Sequence, residues 1–199
     1  MKGLLSYDFQ LLAASRRTFL IYALLFVVYL VAGMGLPMAI ILSLLMVMMG
    51  VRISFLAYEN DPKFLFTLPF TRRQFVAEKF VLAVILLAVS LGLSSLCFGW
   101  GMSIADVLKV DLISFMACLV FGALTICMEA AFGQKGSMMM GVVAAVGVSA
   151  FLVISGDFNG EMGRFMEFFS NLWVVAGVSA VLVIVLYFIT VSVMEKKRF

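Results

Sequence analysis

Long runs of apolar residues dominate this chain of 199 residues and leave little room for any fold except a bundle of membrane-spanning helices. A helix that crosses a bilayer needs about 20 mostly apolar residues. Hydrophobic residues make up 65% of the chain and charged residues 13%, against roughly 45–50% and about 25% in soluble domains. We predict an all-α polytopic membrane protein, a single domain over residues 1–199, with transmembrane helices at residues 18–35, 37–56, 80–100, 111–132, 138–155 and 172–194.

The positive charges predict the orientation of these six helices, because Lys and Arg in short loops resist translocation. If the N-terminus is cytosolic, all but two of the 14 Lys and Arg residues lie on the cytosolic side, and the exceptions are Lys109 and Arg164. Both termini (N-in/C-in) and the loop at residues 58–79 are therefore expected in the cytosol. The net charge of +3 follows from this topology and does not indicate a nucleic-acid partner.

The loop at residues 58–79, YENDPKFLFTLPFTRRQFVAEK, is the only long segment that is charged, aromatic and interrupted by proline at once. Asn60 or Asp61 suits the N-cap of a helix, and Pro62 suits its first turn. Pro69 cannot continue a helix. The pattern predicts a short cytosolic helix with an aromatic face.

A second helix is predicted to begin near Arg72, because Thr71 and Gln74 have the spacing of a capping box. It would continue directly into the third apolar run. Two interpretations of the loop remain open at this point: a plain connection between two spans, or a docking element for a soluble partner. The docking surface would consist of Phe64, Leu65 and Phe66, rimmed by Lys63, Arg72 and Arg73.

Residues 1–15 form a separate predicted element. Apolar residues recur in this segment at nearly helical spacing, with Lys2, Asp8 and Gln10 between them. Such a pattern is typical of an amphipathic helix that lies in the inner membrane interface. We expect this interface helix to anchor the N-terminus.

Several kinds of chemistry are made improbable by the sequence. The chain has no His, which is the usual general base and the commonest metal ligand, and it has no P-loop for nucleotide binding. Cys97, Cys118 and Cys127 all fall inside spans, so we expect packing residues and neither disulfides nor a metal site. The chain itself is not expected to be an enzyme.

Two charges lie well inside the apolar limits, Arg52 and Glu129. Each is about one turn from a cytosolic helix end, where a long side chain can reach the interface at little cost. The alternative is an intramembrane pair that ties the second span to the fourth. The other acidic residues are in loops or at interfaces, which argues against an ion-coupled transporter or channel.

The chain resembles the small permease subunits of the ABC-2 type exporter family. The resemblance is carried by six spans with both ends inside, by Tyr58-Glu59, by Leu68-Pro69-Phe70-Thr71-Arg72 and Lys79-Phe80, and by the turn at Phe132-Gly133 and Lys135. The chain departs from the family pattern at Asn60, where a second acidic residue often follows the first.

The resemblance implies the transmembrane half of an ATP-driven exporter in a bacterial cytoplasmic membrane. A second permease chain, identical or paralogous, would complete the pathway, and separate soluble ABC ATPase subunits would hold ATP and Mg, so that this chain binds no cofactor. The cargo would be apolar or amphipathic, such as a peptide, an antimicrobial or a lipid-like molecule. The resemblance assigns ATPase docking, through a coupling helix, to Asp61, Pro62, Lys63, Phe64, Leu65, Phe66, Leu68, Pro69, Arg72 and Arg73.

A rival hypothesis has the same membrane topology but no transport function. The chain would then be a membrane scaffold or an immunity protein that binds a partner or a toxin. Such a protein would copurify with its partner and show no ATP-dependent flux. An intramembrane enzyme is a more distant alternative, since the sequence has no clustered ligands.

Overall fold

The described secondary structure of this computed structural model is helical throughout, with no strand in the described part of the chain. The long helices are α1 (Lys2–Ala14), α2 (Leu36–Asn60), α3 (Arg72–Phe98), α4 (Ile104–Phe132) and α5 (Leu172–Lys196). The structure describes residues 2–16, 20–21, 24, 27–28, 36–60, 71–98, 104–133, 135–136, 138–143 and 172–196. The prediction of an all-α protein is confirmed for these residues.

Helix α3 begins where its capping box predicts. The backbone N–H of Thr71 donates to Gln74 Oε1 at 3.1 Å, and the backbone N–H of Gln74 donates to Thr71 Oγ1 at 3.3 Å. These two bonds satisfy N–H groups that the first turn of a helix cannot pair internally. The charged segment from Arg72 to Lys79 and the apolar segment after it therefore form one continuous helix.

Helix α4 ends at a glycine turn. Gly133 has a φ of 57°, a conformation that residues with a Cβ seldom adopt, and its N–H donates to the Glu129 carbonyl at 2.8 Å. Gly136 then donates to the Gly133 carbonyl at 2.9 Å. Gly136 is so close to the Met128 carbonyl that any side chain there would collide with the backbone. The turn thus requires glycine at both positions.

The helices pack around α3. Helix α3 contacts α2, α4 and α5, while α1 lies against α2 and the start of α3. Phe55 of α2 and Phe75 of α3 are buried and meet edge to face, with ring centroids 5.8 Å apart. Small residues allow close approach elsewhere, since Gly122 of α4 lies against Val47 of α2. The core is therefore concentrated along α2, α3 and α4.

Three helical segments are long and apolar enough to cross a membrane: Arg72–Leu93, Val107–Phe132 and Trp173–Lys196. They overlap the third, fourth and sixth predicted spans, and a shorter apolar stretch, Leu42–Leu56, overlaps the second. These segments support a multi-pass membrane protein. The first and fifth predicted spans, at residues 18–35 and 138–155, fall largely outside the described residues, so six spans and their orientation stay predictions.

The start of α4 differs from the predicted span. The helix begins at Ile104, whereas the apolar run starts near Asp111. No Gly or Pro interrupts residues 104–111, so the helix can extend through this segment. Its charged residues kept it out of the predicted span. Asp111 is consequently inside α4, where its carboxylate accepts a hydrogen bond from the Ser95 hydroxyl of α3.

Candidate functional site at the start of helix α3

The segment for which sequence analysis predicted docking lies between α2 and α3. Helix α2 ends at Asn60 and α3 begins at Arg72. Of the predicted docking residues, Arg72 and Arg73 are within the described part of the chain. The others lie outside the described residues: Asp61, Pro62, Lys63, Phe64, Leu65, Phe66, Leu68 and Pro69.

Arg72 and Arg73 bind the C-terminal end of α5. Arg72 Nη1 donates to the carbonyl oxygens of Met194, at 2.7 Å, and Glu195, at 3.2 Å. Arg73 Nε donates to Glu195 Oε1 at 2.8 Å. The last carbonyls of a helix have no intrahelical partner and carry partial negative charge, so a guanidinium is a favourable cap. We call these four residues the C-terminal clasp.

The clasp connects distant parts of the chain at the protein surface. Arg72 and Met194 are 122 positions apart in sequence. The side chains of Arg73 and Glu195 are 71% and 45% exposed, so water screens their ion pair. Sequence analysis assigned both arginines to the rim of a docking surface, and the structure directs at least one N–H group of each toward α5.

A second group of charges lies just beyond the clasp and is buried. Asp8 of α1, Ser54 of α2, and Glu78 and Lys79 of α3 are each no more than 2% exposed. Lys79 Nζ is 2.5 Å from Asp8 Oδ2 and 3.0 Å from Glu78 Oε2. The Ser54 hydroxyl donates to Asp8 Oδ2 at 2.7 Å. We call these four residues the buried ion cluster.

Lys79 is the centre of the buried ion cluster. Its ammonium also lies 4.6 Å from the centroid of the Phe75 ring, which is a cation–π contact. Neither side-chain oxygen of Glu78 accepts a hydrogen bond within the described part of the chain, although Lys79 is close. Two buried acidic side chains therefore lie beside one ammonium, and Asp8 accepts the hydrogen bonds from it and from Ser54.

This cluster was not predicted from the sequence: Lys79 was counted among the cytosolic charges and as part of the family motif, with no partner assigned to it. One signal was present in the N-terminal segment. Asp8 is four residues before Leu12, so the two share a helix face, and both are buried. An acid on the buried face of a helix requires a cation from elsewhere.

Arg52 and Glu129 are brought together by the structure. Arg52 Nη1 is 3.2 Å from Glu129 Oε2 and 3.5 Å from Oε1, and the two side chains are 22% and 0% exposed. The pair joins α2 to α4 close to the turn at Gly133. Of the two sequence interpretations, this geometry corresponds to the pair and not to separate side chains that reach the interface.

The charged side chains at the start of α3 can fix the positions of the neighbouring helices relative to α3. The clasp holds α5, the buried ion cluster holds α1 and α2, and both act on the first two turns of α3. Among the described residues, no three His, Cys, Asp or Glu side chains come together as metal ligands would. Cys118 is buried, Cys127 is partly buried, and both are free thiols.

Comparison with known proteins identifies the family. No curated protein and no solved structure matches the chain. A family model described as ABC-2 family transporter protein matches residues 3–195, which is nearly the whole chain. Membership supports a permease subunit of an ABC transporter and implies an ABC ATPase as partner. Because the family model covers nearly the whole of this helical membrane protein, the chain belongs to the ABC-2 transporter family.

Proposed function

We propose that the chain is the transmembrane permease subunit of an ATP-driven ABC exporter, with six spans and both termini in the cytosol of a bacterial cell. It forms half of the translocation pathway, and a second permease chain, identical or paralogous, forms the other half. Soluble ABC ATPase subunits bind ATP and Mg and hydrolyse the nucleotide. The chain itself has no catalytic role.

One observation carries this proposal beyond family membership. Helix α2 ends before residues 61–70 and α3 begins after them. The first two turns of α3 bind α1 and α5 through charged side chains, and Asp8 of α1 in turn accepts a hydrogen bond from Ser54 of α2. A force applied to that loop is therefore applied at a junction of four helices. This is where a coupling element for an ATPase is most effective.

The mechanism follows from this connection. Closure of the ATPase dimer on ATP moves the coupling helix at residues 61–68 as a rigid lever. The helix bundle then changes the side of the membrane to which its central cleft is open. Cargo is carried outward when its affinity is higher in the inward-facing state than in the outward-facing state.

The proposed cargo is apolar or amphipathic. The chain contains 20 Phe and 15 Met residues, and flexible thioethers and aromatic rings suit a permissive apolar path. Arg52 and Glu129 form an ion pair with each other close to the turn that ends α4. A peptide, an antimicrobial or a lipid-like molecule fits such surroundings better than an ion does.

The test is a pull-down of the tagged chain in mild detergent, with the double variant Phe64→Ala/Phe66→Ala. We expect a soluble P-loop ATPase to copurify with the natural chain and to be lost from the variant. Phe188→Ala is the matched control, because it truncates an exposed Phe that belongs to α5 and not to the loop. Undiminished ATPase in the double variant would contradict the docking assignment.

A different result would contradict the proposal as a whole. If no ATPase copurifies in any gentle condition, and membrane insertion is normal, the chain is not an ABC permease in function. The membrane scaffold or immunity protein would then be the better hypothesis. The partner recovered in the same pull-down would identify it.

A further inference from the structure

We propose that Arg72 and Arg73 are positioning residues that make the end of α5 move together with the start of α3. The C-terminal clasp would then carry the ATPase stroke from the coupling loop into the last helix. This inference rests on the proposed function and specifies how the motion is passed on.

The geometry of the clasp places α5 next to the coupling segment. Arg72 is the first residue of α3 and follows the loop directly. Its guanidinium binds two consecutive carbonyls, of Met194 and Glu195, and Arg73 adds the ion pair. A displacement of the loop acts on these bonds before it acts on any later turn of α3.

Helix α5 is most deeply buried at this end, where Thr190, Val191 and Met194 are buried. Further along, Val175 and Ser179 are buried against the bundle, whereas Trp173, Val181 and Phe188 are largely exposed. A helix held at one end can pivot about that end. The buried seat and the clasp together supply the pivot of α5.

A second contact extends the connection along α3. Phe80 of α3 and Tyr187 of α5 meet edge to face, with ring centroids 5.4 Å apart. Elsewhere α5 packs mainly along α4. The clasp and this ring pair therefore link the C-terminal end of α5 to α3, while the remainder of α5 packs against α4.

The consequence is a predicted movement at the far end of α5. The helix has 25 residues, so Trp173 is about 33 Å from Glu195 at 1.5 Å per residue. A small rotation at the clasp becomes a larger displacement at Trp173. That end of the helix should therefore respond to nucleotide bound on the ATPase.

The experiment measures this response directly. In the complex reconstituted with its copurified ATPase, Trp173→Cys is labelled by a membrane-impermeant thiol reagent, in a background with Cys97, Cys118 and Cys127 changed to Ala. Labelling rates are compared with and without ATP and vanadate. The variants are Arg73→Glu, Glu195→Arg and the two combined, and ATPase recovery is measured for each.

We expect nucleotide to change the labelling rate in the parent chain, and Glu195→Arg to retain the ATPase. Each single variant should lose the change in labelling rate. The combined variant, with the charges exchanged, should regain it. Lys196→Glu is the matched control. Like Arg73→Glu it replaces a positive charge by a negative one, it lies one residue after Glu195, and it should keep the response. A direct contact of Arg73 with the ATPase would not predict rescue by exchange.

Three outcomes would overturn the inference. The first is a nucleotide response in Arg73→Glu equal to that of the parent chain. The second is no response in a parent chain that does bind the ATPase. The third is loss of the ATPase from Arg73→Glu and from the combined variant but not from Glu195→Arg, which would mean that Arg73 contacts the ATPase itself. A parent chain that binds no ATPase would overturn the proposed function first.

Discussion

The C-terminal clasp and the buried ion cluster lie within eight residues of each other on α3 and differ in their access to water. Arg73 and Glu195 are largely exposed, whereas Asp8 and Lys79 are almost completely buried. An exposed ion pair contributes little to stability and can open at little cost. A buried charge that loses its partner is strongly destabilising, so the buried pair stays closed. One end of α3 thus combines a buried ion pair with α1 and a solvent-exposed ion pair with α5.

The largest effect is expected from Lys79→Met, which keeps the side-chain stem and removes the cation from two buried carboxylates. We expect a loss of about 3–5 kcal/mol in the free energy of unfolding. Titration with SDS in mixed micelles, followed by circular dichroism, measures this quantity. Lys196→Met is the control, because Lys196 is exposed near the other end of the clasp. Equal losses for the two variants would contradict the comparison.

An intermediate effect is expected from Arg52→Gln. This variant leaves the fully buried carboxylate of Glu129 with weaker donors, and a hydrogen bond to a charged group contributes about 1.5–3 kcal/mol. The same SDS titration measures the loss. In a double-mutant cycle with Glu129→Gln the two changes should be non-additive. Additive losses would show that the pair has no coupling energy.

A small effect is expected from Arg73→Ala. An exposed ion pair contributes little to the free energy of unfolding, and high salt should remove most of that contribution. Thermal unfolding in detergent at low and high ionic strength measures both quantities. A loss as large as that of Lys79→Met, or one that salt does not change, would mean that the clasp is as permanent as the buried ion cluster.

The smallest effect, or a gain in stability, is expected from Glu78→Gln. The Glu78 carboxylate accepts no hydrogen bond within the described residues, and its removal leaves Asp8 and Lys79 as a balanced pair. Asp8→Asn makes the same chemical change on the carboxylate that does accept hydrogen bonds, and should cost about 1.5–3 kcal/mol. If the two variants lose equal stability, Glu78 contributes as much as Asp8 does.

Local features of this fold were predictable from sequence. The capping box at Thr71 and Gln74 acts over three residues, so the start of α3 could be read directly. The pair of Arg52 and Glu129 was among the alternatives, because a charged residue inside an apolar run is easily seen in the hydropathy of the sequence. Both signals are visible within one helix.

The buried ion cluster was not predictable in the same way. Asp8 and Lys79 are 71 positions apart, and each is in a polar segment where charge is expected. Hydropathy cannot distinguish a charge in water from one that a neighbouring helix covers. The clasp was missed for the same reason: the arginines were predicted to lie at the rim of a docking surface, and their contact with Glu195 depends on how α5 packs.

The separation of Asp8 from Lys79 also has a consequence for synthesis of the chain. At about 5–20 residues per second, the ribosome needs roughly 4–14 s to make the 71 residues between them. During that interval the Asp8 carboxylate lacks the Lys79 ammonium, its buried partner in the folded chain, so α1 stays in water or at the lipid headgroups. The N-terminal helix is therefore made first and docks only after α3 has emerged. Slowing translation between these two positions should lengthen its exposure to proteases.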